Sequence, residues 1–141
     1  MTGISHALTL WRPWPHAILF GGKRIENRPW KPWASIIGKR IAVHAGLRYD
    51  DAGAAWMRAQ ELYDPPEGPW CPAGVIVGTA RVTGFVEASD DPWFVGPFGW
   101  LLADVEAFDM PVACRGAQGL WRVPAGLLGP QRGADQRELP L

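Results

Sequence analysis

The spacing of apolar and polar positions changes period several times along the chain, and each change predicts an element. Ala7–Leu10 reads as a short strand, ended by the stiff turn Trp11-Arg12-Pro13-Trp14-Pro15, because proline fixes its φ and cannot donate to a ladder. Pro15 suits the first turn of a helix over His16–Phe20, and Gly21 and Gly22 stop it. Arg24–Arg28 is extended, with Glu26 and Arg28 on one face and Ile25 and Asn27 on the other; Lys23 joins the first pair if the turn presents it. Lys39–His44 alternates as a half-buried strand, with Ile41 and Val43 on one side and Arg40, Ala42 and His44 on the other.

Asp50 or Asp51 caps a helix running to Tyr63, with Ala52, Ala55, Trp56, Ala59 and Leu62 as its buried stripe. The Asp64–Pro69 connection cannot continue that helix. Ala73–Ala88 is a long strand that places Ile76, Gly78, Ala80, Val82, Gly84 and Val86 on one side, and small residues between aliphatics permit the curvature of a closing barrel. Phe98–Asp109 and Gly119–Val123 complete the extended segments. Strands without regular βαβ alternation predict a mixed, mainly β domain over residues 1–125, a small barrel with two or three short helices at its rim, followed by a loose tail over 126–141.

Composition narrows the class. At 141 residues, 48% apolar and 20% charged, the chain is one loop-rich globular domain with no need of disulfides or metal. No apolar run approaches a membrane span and no basic-then-apolar start marks a signal peptide, so a cytoplasmic location is expected. Two cysteines and three scattered histidines give no metal-type spacing, and neither metal nor cofactor is expected. Cys71 and Cys114 read as small hydrophobes. Net charge is zero, but residues 1–48 hold eight cations against Glu26 alone, a balance of +7, which polarises the molecule if its halves do not intermingle completely.

The densest chemistry lies in Gly22-Lys23-Arg24-Ile25-Glu26-Asn27-Arg28, flanked by Trp11 and Trp14 before it and Trp30 and Trp33 after it. Cations interleaved with indoles are the ingredients of a site for bases and phosphates. Lys23 is either an exposed stem covering the helix end or a cleft ammonium that anchors an anion or transfers a proton. Glu26 pairs with Arg28 or accepts from a base amino group while Arg28 orients it. Arg12 is a surface charge or a phosphate contact. Trp11 is the first choice for a stacking platform, with Trp30 a second, and His44 is a strand-end histidine that could also touch a ligand. Trp100 and Trp121 belong to the core.

The signature Gly22-Lys23-x-x-Glu26-x-Arg28 resembles that of the ASCH family, and Leu10-Trp11-x-Pro13-Trp14, Val43-His44-Ala45, Phe98-Gly99-Trp100 and Gln118-Gly119-Leu120-Trp121 resemble further ASCH segments in the same order, across residues 7–124. The resemblance implies a PUA-like β-barrel that binds RNA, single-stranded nucleic acid or a modified nucleoside in a cleft between the barrel and the first helix. Some members are amidohydrolases acting on N4-acetylcytidine. Those enzymes carry threonine where this chain has Glu26, and their catalytic glutamate finds only Glu87, Asp90 and Asp91 as candidates here. The expected role is therefore binding through Trp11, Arg12, Lys23, Glu26, Arg28, Trp30 and His44. The alternatives are a deacylase using Lys23 and Glu26, and a protein-interaction adaptor presenting its indoles.

Overall fold

A computed structural model describes residues 3–129. Most of the tail expected over 126–141 lies outside the described residues. The chain runs β1 (His6–Arg12), α1 (Trp14–Phe20), β2 (Ile25–Arg28), β3 (Arg40–Tyr49), α2 (Asp51–Ala59), β4 (Val75–Val86), β5 (Phe98–Ala113) and β6 (Leu120–Arg122), with single 3-10 turns at Ala34–Ile36 and Gly68–Trp70. Among the described residues no helix is long and apolar enough to cross a membrane.

The six strands form one mixed sheet in the order β2-β5-β4-β3-β1-β6, with β1 and β3 parallel and every other pair antiparallel. The sheet does not close, because β2 and β6, four and three residues long, end the order without pairing each other. It curls enough that Arg28 on edge strand β2 donates to the Thr9 carbonyl of β1, 3.2 Å away. The order sets β4 and β5 of the second half between β2 and β3 of the first, so the two halves of the sequence intermingle in part. Cations of the first half stand beside carboxylates of the second, as Arg40 does beside Glu106 at 4.0 Å.

Both faces of the sheet are covered. Leu8, Leu10, Ile41, Val43, Ala80, Val82 and Leu102 enclose Trp100, which is fully buried, and Ile18 of α1 and Ile36 close this core. Ala7, Ala42, Ile76, Trp121 and Val123 form a second core on the other side. The face of β3 carrying Ala42 and His44 is therefore buried rather than half-solvated, since Trp121 of β6 lies edge-on to His44 with centroids 5.4 Å apart.

Strand parity fails on β4. Register shifts between Ile76 and Gly78, Thr79 and Arg81, and Val82 and Gly84 change which side chains share a face. Ile76 joins the second core while Ala80 and Val82 join the first. The stripe on α2 also differs from expectation, as Gly53, Ala54 and Met57 are buried and Ala52, Ala55 and Ala59 are exposed. Gly53 decides the rotation. A Cβ there would lie 2.6 Å from the Trp14 ring and 2.5 Å from the Asp50 carboxylate, so only glycine lets the helix approach this closely. Met57, Ala17, Ile25 and Trp93 then form a third core that joins α1, β2 and α2.

Candidate functional site

The helix end and the edge strand bring the signature residues together. Gly21 closes α1 by donating to the Ala17 carbonyl at 2.8 Å, and Gly22, at φ +74, turns the chain so that the Lys23 N–H meets the same carbonyl at 3.2 Å. That turn directs the Lys23 side chain inward, where it is 2% exposed. Its ammonium donates to the Ile25 carbonyl and to Glu26 Oε1, the latter at 3.0 Å. It also lies 5.5 Å from the centroid of Trp14.

The β2 ladder, in which Glu26 pairs with Trp100 and Arg28 with Phe98, holds both residues on one face. Arg28 Nε stands 3.0 Å from Glu26 Oε2, an ion contact whose N–H is off line for a hydrogen bond. One carboxylate thus sits between two cations, and the group carries a formal charge of +1. Among its members Lys23 is buried, Glu26 is 8% exposed, and the Arg28 side chain retains more contact with solvent.

These residues line a cleft of about 290 Å³ walled by Leu10, Trp11, Trp14, Lys23, Glu26, Asn27, Asp50 and Val95. Asp50 caps α2 by accepting from the Gly53 N–H at 2.8 Å, and its second oxygen accepts from Trp14 Nε1, also at 2.8 Å. Asn27 anchors the opposite wall by donating to the Trp93 carbonyl and accepting from the N–H groups of Val95 and Gly96. Trp11 at the mouth is 48% exposed, and the Arg48 guanidinium lies 4.5 Å from its ring centroid.

Of the residues expected in the site, Trp11, Lys23 and Glu26 line this cleft and Arg28 stands behind Glu26. Arg12, Trp30 and His44 do not line it. Arg12 donates to the carbonyls of Gly68, Cys71 and Leu47 at 2.8, 3.1 and 2.7 Å, so its guanidinium fastens the 68–71 turn to the end of β3 rather than meeting a phosphate. Trp30 packs edge-on against Trp100 at 5.1 Å and accepts from its indole N–H at 2.9 Å, which seals one end of the core. His44 is 2% exposed, with Nε2 2.6 Å from the Cys114 carbonyl and Nδ1 3.1 Å from Thr9 Oγ1. Burial lowers its pKa, and the Cys114 carbonyl offsets part of that. Glu87 and Asp90 are exposed and Asp91 caps the turn before Trp93, all outside the cleft lining.

The sequence reading missed Asp50, Asn27 and Val95 as cleft residues. Asp50 was legible as a helix cap, but the bond of its second oxygen to Trp14 spans thirty-six positions and leaves no local signal. A smaller pocket of about 210 Å³ beside α1 is lined by Arg12, His16, Phe20, Cys71 and Asp109; burial pushes the Cys71 thiol up and the His16 imidazole down, and Arg12 is held there by its three carbonyls.

The fold is ASCH-like: a mainly β, six-stranded mixed sheet with two helices. The chain is similar to the crystal structure of ASCH from Zymomonas mobilis, with a TM-score of 0.52 at 16% identity over 85% of this chain and 87% of that one. A serine-to-alanine mutant of the same Zymomonas mobilis protein gives 0.51 at 16% identity, over 85% and 88% of the two chains. Neither a protein-family model nor a curated protein matches the chain.

Proposed function

We propose that the protein binds a nucleobase, free or within RNA or another single strand, in the cleft at Lys23. The observation that carries this reading is the burial of an ion pair where the fold gains little from one. Removing both ions from water costs several kcal/mol each, and a packed apolar pair serves stability as well or better. Two of the three Lys23 donors are spent on Ile25 and Glu26, which leaves one for a ligand. Glu26 keeps lone pairs beyond those facing its two cations, and Arg28 fixes its orientation.

A donor beside an acceptor complements a base edge that shows a carbonyl next to an amino group, as cytosine does. Trp11, exposed at the mouth, supplies a face for stacking. Titration calorimetry with cytidine and N4-acetylcytidine tests the reading. Saturable binding weakened at least about tenfold by Lys23→Met is expected, and no binding of any nucleoside or single-stranded RNA would end it.

One arrangement favours deacylation as a second reading. Two carboxylates, Glu26 and Asp50, share the cleft with the lysine, a set able to take a proton from water and polarise an acyl oxygen. Release of acetate from N4-acetylcytidine, abolished in Lys23→Met, would select it over simple binding.

A further inference from the structure

The base-binding reading leaves open whether the ligand is a bare base or carries phosphate, and the arginines decide between them. Most are committed. Arg12 holds three carbonyls, Arg24 those of Ile18 and Lys23, Arg40 the Thr79 hydroxyl and the Asp104 carbonyl, Arg58 and Arg81 a carboxylate each, and Arg28 faces Glu26. Among the described residues Arg48 has no carboxylate or carbonyl partner; its guanidinium is engaged only with the indole of Trp11. Trp11 is a wall of the Lys23 cleft.

A guanidinium laid against a ring uses its face for the cation–π contact and keeps its N–H edge for an anion. The nearest acid in sequence, Asp50, accepts from Gly53 and Trp14, and among the described residues it makes no ion pair with Arg48. Lys23, by contrast, is 2% exposed and already faces a carboxylate, so it suits a neutral carbonyl better than a dianion. The inner cleft therefore suits a base edge, while Arg48, exposed and outside the lining, is joined to the cleft through the indole of Trp11.

We propose that Arg48, held on Trp11, is the phosphate-binding residue of this site and that its ligand is a nucleotide, as a monophosphate or within a single strand, rather than a bare base or nucleoside. The inference rests on the cleft reading, extends it to the ligand's charge, and moves the phosphate contact from Arg12 to Arg48. An exposed arginine stacked on a wall residue of the cleft also draws in a charged ligand before its base is inserted.

The test compares cytidine, cytidine 5′-monophosphate and a trinucleotide of cytidines on the full chain at two salt concentrations. The wild type should bind the monophosphate about tenfold more tightly than cytidine, with the advantage shrinking as salt rises. In Arg48→Gln the ratio of the two affinities should fall to about one, and Arg48→Lys should restore part of it. A trinucleotide that gains over cytidine while the monophosphate does not, with the gain lost in Arg48→Gln, assigns the phosphate to a strand. Equal affinity for cytidine and both phosphorylated probes, or an advantage that survives Arg48→Gln, overturns the proposal. Lys23→Met separates the two readings: cytidine binding indifferent to that change sinks the cleft reading, whereas a wild type without any phosphate advantage but with Lys23-dependent cytidine binding sinks only Arg48. If the wild type binds none of the three, both fall.

Discussion

Removing the Glu26 carboxylate should destabilise the fold far more than removing an exposed acid of similar geometry. At 3.0 Å, and with an effective dielectric of about 20, the Lys23 and Glu26 charges attract by roughly 5 kcal/mol before desolvation is counted. Stripping one partner from a buried pair typically costs about 3–5 kcal/mol, since the other ion stays out of water. Lys23 retains the Ile25 carbonyl and the Trp14 ring, so Glu26→Ala is expected near the lower end, about 3 kcal/mol. Glu26→Gln keeps an acceptor and should cost about 1–2 kcal/mol.

The double variant Lys23→Met/Glu26→Gln removes both members of the pair and leaves Arg28 on Thr9. It should cost less than its two single changes together, with a coupling of about 2 kcal/mol. Asp64→Ala, whose carboxylate meets Arg58 at 2.7 Å on the exposed surface, is the control and should leave stability unchanged. Urea unfolding followed by the fluorescence of the nine tryptophans measures the wild type and the five variants, Lys23→Met included, with constant m-values as the check that the transition is the same one. Additive single and double variants, or a Glu26→Ala effect no larger than that of Asp64→Ala, would refute the claim of a buried, mutually dependent pair.

Further outcomes follow from other parts of the structure. The folded pKa of His44 lies below its unfolded value of 6.5, so its contribution to stability is fully present above 6.5 and is lost as pH falls through the lower folded value; its share of the slope should reach at most about 1.4 kcal/mol per pH unit and be removed in His44→Gln, leaving the shares of His6 and His16, as read by urea unfolding between pH 7.5 and 4.5. Gly53→Ala places a methyl against Trp14 and Asp50 and should cost about 1–3 kcal/mol while weakening cytidine binding, because the same two residues wall the cleft. Gly116→Ala would drive a Cβ to 2.5 Å from Thr9 Oγ1 and 2.8 Å from His44 Nδ1, so a comparable loss of stability is expected, with cytidine binding retained.

The legibility of the chain depended on how local each determinant is. Glu26 and Arg28 were assigned to one face correctly because β2 is four residues of unbroken ladder. The same parity rule failed on β4, which shifts register at three places against β5 and, beside Val77, against β3 as well. Proline and glycine bounded α1 well, to within two residues, and glycine at 22 was needed for the turn that buries Lys23. On α2 the cap at Asp50 was legible, but the rotation of the helix is set by Trp14 meeting Gly53, a contact between distant segments. Arg12 misled for a similar reason. Its charge suggested phosphate, while its actual partners are carbonyls thirty-five to fifty-nine positions away. Arg48 drew no attention because its only distinction is spatial, the indole of Trp11 beneath it.

The most direct measurement is an amide and indole NMR titration of the 15N-labelled protein with cytidine 5′-monophosphate. Saturable shifts should concentrate on the indole signals of Trp11 and Trp14 and on the backbone of Lys23, Glu26, Asn27 and Asp50, and should vanish in Lys23→Met. Shifts centred instead on His16, Phe20 and Cys71 beside α1, or none at millimolar ligand, would contradict the assignment of this cleft as a nucleobase site.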